Sequence, residues 1–240
     1  EMEVFFDICP SKIIAVTGSD GKTTTTTLIY KMLTEAGYKT WLGGNIGNPL
    51  LCETEKMSES DIVVLELSSF QPHIAVITNV SPNHLDWHKS YEEYIDAKKN
   101  IMLHQSKSDI LVTNSESEPS KKAGEEARGE NRAFSSKSAA LISIKYGSIF
   151  YGDEKILEID KIKLPGKHNV ENYMAAIGAV HDLVPAEVIQ KIAATFGGVE
   201  HRLEFVREYK GAKYYNSSID SSPNRTINAL SVFDKKIILI

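Results

Sequence analysis

The residues best suited to chemistry lie in one short run, Thr17-Gly18-Ser19-Asp20-Gly21-Lys22-Thr23. The two glycines let the backbone fold so that successive N–H groups face an anion. A helix starting directly behind adds the positive end of its dipole. Lys22 then reaches a terminal phosphate, and the hydroxyl of Thr23 ligates the accompanying Mg²⁺. Ser19, Asp20 and Thr24 complete the stretch that would wrap a nucleotide phosphate. In the usual phosphate loop the first glycine would fall at position 16, where this chain has Val16. The departure points away from a generic ATPase and toward a narrower group.

Further candidates stand downstream. Glu66 closes the apolar run Ile62-Val63-Val64-Leu65, where a carboxylate is costly unless it is paired, bound to a metal or able to reach water. In an ATP site the end of a neighbouring strand is where a Mg²⁺-binding acid belongs. The stretch from Thr78 to His88 contains His84-Leu85-Asp86-Trp87-His88, three metal-capable side chains on one side of an extended loop or an ordinary polar surface. Lys98 falls within the apolar seam Tyr91, Tyr94, Ile95, Ile101 and Met102 of a helix expected over residues 91–102. From there it either snorkels to water or points into the site. Mg²⁺ would repel its ammonium, so a metal-binding Lys98 requires carbamylation. Asn169 and Asn172 share a helix face, where their amides could read a base edge or cap the helix. His201-Arg202 and Asn216-Ser217-Ser218 are weak signals by themselves.

Strands and helices must hold these groups in place. An apolar strand over residues 13–16 delivers the loop. Leu28, Ile29, Met32, Leu33 and Ala36 recur at helical spacing behind it, with Gly37 as a stop. Strands are expected over residues 40–42, 62–67, 74–80 and 110–113, alternating with helices as in a parallel sheet. Residues 119–132 are polar and read as an exposed helix or loop. Residues 139–162, broken by Gly147 and Gly152, suggest antiparallel strands added to the sheet. Helices over 168–183 and 186–195 lead to Gly197-Gly198, a candidate hinge. A hairpin (203–215), a helix (223–233) and an apolar strand (236–240) follow. An end on Ile-Ile-Leu-Ile, and a start with no room for a domain before the phosphate strand, lead us to expect a fragment.

The chain has 240 residues and a net charge of −5, which argues against a nucleic-acid-binding surface. No apolar run nears the roughly 20 residues that span a bilayer. Cys9 and Cys52 match no zinc or redox spacing and read as small core residues. A reducing, cytoplasmic setting is the simplest expectation.

Taken together, these residues resemble the Mur ligase family, ATP-dependent amide ligases of peptidoglycan precursor synthesis. The loop lacking its first glycine, Gly43-Gly44-Asn45-Ile46-Gly47, Glu66-Leu67-Ser68-Ser69-Phe70-Gln71, His84-Leu85-Asp86 with Tyr94 and Lys98, His168-Asn169 with Asn172, and His201-Arg202 carry the likeness. Glu-Leu-Ser-Ser-Phe-Gln is the most specific and is similar to the D-glutamate-adding branch. The resemblance implies an α/β fold: a phosphate-loop-type, mostly parallel sheet flanked by helices with a small antiparallel extension. It also implies a central ATP-binding domain over 1–198 and the start of a Rossmann-like C-terminal domain over 199–240.

By position, the resemblance gives Gly18, Ser19, Asp20, Gly21, Lys22, Thr23 and Thr24 to the phosphates, and Thr23 with Glu66 to one Mg²⁺. It gives His84 and a carbamylated Lys98 to a second. Asn169 and Asn172 would approach the adenine, Arg202 the nucleotide across the hinge, Asn45 the acyl-phosphate region, and Ser68 and Ser69 the substrate. Lys22, His84 and Lys98 are the expected catalytic groups. The substrates would be UDP-N-acetylmuramoyl-L-alanine, D-glutamate and ATP, the enzyme a monomer without nucleic-acid or membrane partners, and this fragment inactive alone. Ser217 and Ile219 stand where many members carry Asp and Lys, so those two roles do not transfer. The alternatives are another Mur ligase, a folylpolyglutamate synthase-like ligase, or a nucleotide-gated switch.

Overall fold

The computed structural model describes residues 2–47, 49–67, 72–81, 90–200, 204–218, 223–230, 232–233 and 236–240. Helix α1 (Met2–Ile8) leads into strand β1 (Lys12–Thr17), and α2 (Lys22–Glu35) follows the phosphate loop. Then come β2 (Thr40–Gly44), β3 (Ile62–Glu66), β4 (Ile74–Ile77), α3 (Tyr91–Lys99), β5 (Ile110–Asn114), α4 (Glu118–Glu125) and β6 (Glu130–Ser135). Strands β7 (Ile142–Lys145), β8 (Ser148–Tyr151) and β9 (Glu154–Glu158) precede α5 (Lys167–Val180) and α6 (Ala186–Thr195). A hairpin of β10 (Glu204–Tyr209) and β11 (Ala212–Asn216) is followed by α7 (Pro223–Leu230). Among the described residues no helix is long and apolar enough to cross a membrane.

Strands β1 to β9 form one sheet in the order β2-β3-β1-β4-β5-β6-β7-β8-β9. Pairing is parallel from β2 through β7 and antiparallel for β8 and β9. Strands β1, β3 and β4 are nearly continuous Ile and Val because helices cover both faces. Successive side chains alternate between the faces. Ile14 and Val16 therefore join Leu28, Ile29, Met32 and Tyr173 in the core under α2 and α5. Ile13 and Ala15 join Phe5, Tyr94 and Ile101 under α1 and α3.

Helix α2 buries the expected apolar stripe and ends in a Schellman motif. Tyr38 N–H donates to Leu33 O at 3.1 Å, Gly37 N–H donates to Thr34 O at 3.0 Å, and Gly37 takes φ 94°. The two hairpin turns expected at Gly147 and Gly152 join β7, β8 and β9.

Several expectations need correction. The segment 119–132 is the expected helix and loop only as far as Gly129: its last three residues open β6, and Arg132 there is only 3% exposed. Burial works against that guanidinium's charge. The carboxylates of Glu130 (2.8 Å) and Asp182 (2.5 Å) outweigh burial and hold the group more firmly protonated than usual. Strand β4 ends at Ile77 rather than at residue 80, because Thr78 and Asn79 turn their polar groups to the phosphate loop. The regular part of α3 stops at Lys99. Cys52 is exposed on a short 3₁₀ turn, and only Cys9 is partly buried. Residues 236–240 are not a strand; they find no ladder partner among the described residues and are exposed. Helix α1 was not anticipated; one buried side chain, Phe5, anchors it.

The rim where the parallel strands begin is tied by polar side chains. Asp61, 2% exposed, accepts from Ser58 Oγ (2.6 Å), Trp41 Nε1 (2.8 Å) and Lys39 Nζ (2.9 Å). His73 Nδ1 accepts from Ile13 N–H at 3.1 Å. The Gln105 amide donates to Pro72 O (3.2 Å) and Ile110 O (2.9 Å).

Candidate functional site

The candidate site lies at the opposite rim, where β1, β3, β4 and β5 end. Val16 still belongs to β1, fully buried and paired with Glu66 on one side and Val76 on the other. The backbone leaves the strand only at Gly18, so a glycine two positions earlier has no turn to serve. Gly18 takes φ 142°, and a Cβ there would meet Thr78 Oγ1 at 2.1 Å. Gly21 takes φ 78°, and a Cβ there would meet Asn172 Oδ1 at 2.2 Å.

Gly21 is also the N-cap of α2 and supplies no side chain to it. The first-turn N–H groups of Lys22, Thr23 and Thr24 have no carbonyl within the helix, so they suit an anion. Lys22 folds back over the loop, its Nζ donating to Gly18 O (2.9 Å) and Ser19 O (3.1 Å). The threonine run that follows is accommodated by back-bonding, with Thr26 Oγ1 on Lys22 O and Thr27 Oγ1 on Thr23 O.

Thr23 Oγ1 donates to Glu66 Oε2 at 2.8 Å. Glu66 is 6% exposed at the end of β3, so this carboxylate is not simply solvated. A hydroxyl and a carboxylate are the hard oxygen donors that Mg²⁺ takes, so the pair fits that ion. No group of three or more His, Cys, Asp and Glu occurs among the described residues. Asn45 follows β2 beside them, its N–H donating to Glu66 O at 2.9 Å. Gly44 (φ 93°) permits the approach, since a Cβ there would lie 2.2 Å from Glu66 O.

Helix α3 starts from an N-cap Ser90 whose Oγ accepts from Glu93 N–H at 3.2 Å. It brings Lys98 inward: the residue is 8% exposed, with Nζ 5.1 Å from the Tyr94 ring centroid. Snorkelling is thereby ruled out. Burial, then the neighbouring charge of Lys22, pulls the Lys98 amine down to about 8, against the opposing pull of Glu66. Tyr94 Oη lies 2.9 Å from Ser19 Oγ, which also bonds the backbone of Ser81.

Asn169 and Asn172 form a relay. Thr25 Oγ1 donates to Asn172 Oδ1 (3.4 Å), Asn172 Nδ2 to Asn169 Oδ1 (3.0 Å), and Asn169 Nδ2 to Pro165 O (2.6 Å). Each amide commits one N–H to this relay and keeps a second donor. Sequence reasoning assigned no site role to Thr78 and Asn79, which brace the loop from the end of β4. Their signal was a hydroxyl and an amide leaving the strand next to the phosphate strand. Ser68, Ser69, His84 and Arg202 lie outside the described residues, as do His201 and Ile219.

A mostly parallel sheet with a glycine loop at the end of an interior strand, a Lys-Thr pair opening the next helix and an acid at the end of the neighbouring strand defines a phosphate-loop α/β domain. Residues 16–180 match the Mur ligase middle domain. The chain belongs to the Mur ligase family. It is 57% identical to the UDP-N-acetylmuramoylalanine–D-glutamate ligase of Ruminiclostridium cellulolyticum and 54% identical to that of Acetivibrio thermocellus. Each match covers 100% of this chain and 54% of the relative. The chain thus spans about half the length of the curated relatives it matches. Among solved structures it superimposes on MurF from Acinetobacter baumannii (TM-score 0.77, 21% identity, 95% of this chain and 55% of that one). It also superimposes on the MurF ligase of Thermotoga maritima in complex with ADP (TM-score 0.74, 22% identity, 98% and 60%). At these identities the structural likeness concerns the fold.

Proposed function

We propose that this chain is the ATP-binding part of a ligase that joins D-glutamate to UDP-N-acetylmuramoyl-L-alanine. Residues 1–198 would form its central domain and 199–240 the beginning of its C-terminal domain. The observation that carries the reading is the Thr23–Glu66 contact of 2.8 Å beside a phosphate loop, with Lys98 buried within electrostatic reach of Lys22 and Glu66. The names of relatives above 50% identity support these substrates. The ADP of the Thermotoga maritima structure supports an adenine nucleotide.

Amide formation from a carboxylate and an amine is uphill in water. In the proposed reaction the alanyl carboxylate attacks the γ-phosphorus of ATP, the bond to the β–γ bridging oxygen breaks, and ADP leaves with an acyl phosphate formed. The D-glutamate amine then attacks the acyl carbon. The tetrahedral intermediate collapses, losing inorganic phosphate and a proton. Positioning and charge neutralisation supply most of the help such chemistry needs.

Gly18, Ser19, Asp20, Gly21 and Thr24 would shape the phosphate cradle. Lys22 would neutralise charge growing on the bridging oxygen. Thr23 and Glu66 would hold one Mg²⁺, and His84 with a carbamylated Lys98 a second. Bound there, Mg²⁺ supplies charge neutralisation to the phosphates. Carbamylation adds CO₂ to the neutral Lys98 amine with release of one proton, which turns a repelled cation into a carboxylate-like donor. Asn169 and Asn172 would approach the adenine, Arg202 the nucleotide, Asn45 the acyl phosphate, and Ser68 and Ser69 the substrate.

The test is phosphate release by the full-length protein with UDP-N-acetylmuramoyl-L-alanine, ATP and each of D-glutamate, L-glutamate, L-lysine and D-alanyl-D-alanine. Release is expected with D-glutamate. A response to another amine and none to D-glutamate would overturn the assignment.

A further inference from the structure

The phosphate loop is not free to present all its backbone N–H groups. Ser19 N–H donates to Asn79 O at 2.8 Å and Asp20 N–H donates to Asn79 Oδ1 at 3.0 Å. The carbonyl of Asp20 is held as well, accepting from Thr78 Oγ1 at 2.6 Å and from Asn79 Nδ2 at 3.1 Å. One side chain, Asn79, thus grips Asp20 through both its N–H and its C=O.

A trans peptide is planar, so the C=O of Asp20 and the N–H of Gly21 point in opposite directions. Holding that carbonyl toward β4 aims the Gly21 N–H away from β4. We infer that Asn79, assisted by Thr78, is a positioning residue for the nucleotide. It fixes the Asp20–Gly21 peptide so that the anion meets N–H groups of Gly21, Lys22, Thr23 and Thr24 and not a carbonyl. The inference rests on the proposed nucleotide site and adds to it the residue that sets its donor pattern. The clamp is itself supported from behind, since Asn114 Nδ2 donates to Thr78 O at 2.9 Å and Ser120 Oγ donates to Ile77 O at 3.1 Å.

Without the Asn79 amide only the Thr78 hydroxyl still holds the Asp20 carbonyl, so the Asp20–Gly21 peptide turns over more readily, which would place a carbonyl where a phosphate oxygen belongs. Two hydrogen bonds of ordinary strength are lost, so nucleotide affinity should fall roughly 10- to 100-fold. The experiment uses the full-length protein with Mg²⁺, measuring ADP affinity calorimetrically and KM for ATP and for D-glutamate. Asn79→Ala should weaken ADP and raise KM for ATP by that factor while leaving KM for D-glutamate unchanged. Asn79→Asp keeps the shape and the acceptor for Asp20 N–H but loses the donor to Asp20 O. It should also weaken ADP, and it carries the test if the alanine variant does not fold.

Asn131→Ala is the control. It removes the 2.8 Å bond from Thr113 Oγ1, which joins β5 to β6 away from the loop, and should leave ADP affinity unchanged. If the unsubstituted protein binds no adenine nucleotide, the functional reading itself fails. If it binds ADP and the Asn79 variants bind equally well, or weaken D-glutamate and ATP alike, the positioning role is overturned.

Discussion

Gly18→Ala tests the loop geometry most directly. At φ 142° an L-residue sits in a region tolerated almost only by glycine, at a cost of about 1–3 kcal/mol. The new methyl would also lie 2.1 Å from Thr78 Oγ1 and 2.9 Å from Asn79 O, so something must shift. The first atom to yield is the Thr78 hydroxyl, whose 2.6 Å bond to Asp20 O contributes about 1 kcal/mol. Together the terms give about 3 kcal/mol, or roughly a hundredfold in an equilibrium constant. The loss divides between folding stability and nucleotide affinity, so both are read: denaturant unfolding without ligand, and ADP binding by calorimetry. A double-mutant cycle with Thr78→Ala separates the causes. Removing the Thr78 hydroxyl relieves the closer clash but neither the approach to Asn79 O nor the backbone strain, so the double variant should recover only part of the loss. If Gly18→Ala leaves both stability and ADP affinity at the unsubstituted level, the description of this loop is wrong.

Other perturbations probe separate features. Glu66→Gln keeps an oxygen for the Thr23 hydroxyl but removes the anion. The Mg²⁺ concentration that half-saturates ADP binding should rise at least about tenfold with little change in stability; an unchanged Mg²⁺ titration would remove Glu66 from the metal. Arg132→Ala leaves its carboxylate partners and Gly178 O without their donor, so unfolding in denaturant should show a loss of about 3 kcal/mol. A loss below about 1 kcal/mol would show that the cluster contributes little. The third concerns acid. Burial pushes the Asp61 carboxyl up, but bonds from Ser58, Trp41 and Lys39 outweigh it and leave the group well below the usual carboxylate range. A depressed folded-state value gives stability that is present above the unfolded value, about 3.9, and is lost as pH falls below it. The stability gap between the unsubstituted protein and Asp61→Asn should therefore narrow below about pH 4; a gap constant from pH 7 to pH 3 would contradict this.

The sheet was readable where burial left its mark on composition. Strands β1, β3 and β4 are apolar on both faces, and α2, α5 and α6 carry clear helical spacing, so their order could be laid out from residue types alone. Strand β6 escaped because Glu130, Asn131 and Arg132 look like solvent-facing residues. Arg132 is buried because Gly178 O and Asp182, 46 and 50 positions later, come to meet it alongside Glu130. Residues 236–240 misled in the opposite way, since an apolar run becomes a strand only when a neighbour pairs with it. At the site, Thr23, Glu66 and Lys98 were legible as types that need partners. Which partners they have was not, because the bond from Thr23 to Glu66 spans 43 positions. Asn79 was invisible for the same reason: its value lies in gripping the backbone of a residue 59 positions away.

The two rims of the sheet divide the chain's duties. The bonds of Asp61, His73 and Gln105 secure the rim where strands begin, whereas Thr23, Glu66, Asn79 and Lys98 gather where strands end. A strand of four or five residues separates them, roughly 13 to 17 Å of rigid backbone. Substitutions at that distance with no shared partners act independently to within a few tenths of a kcal/mol. Robustness to heat or acid can accordingly drift through changes at the first rim without altering the geometry of the second. An engineer seeking a hardier protein should begin at residues 39, 41, 58, 61, 73 and 105.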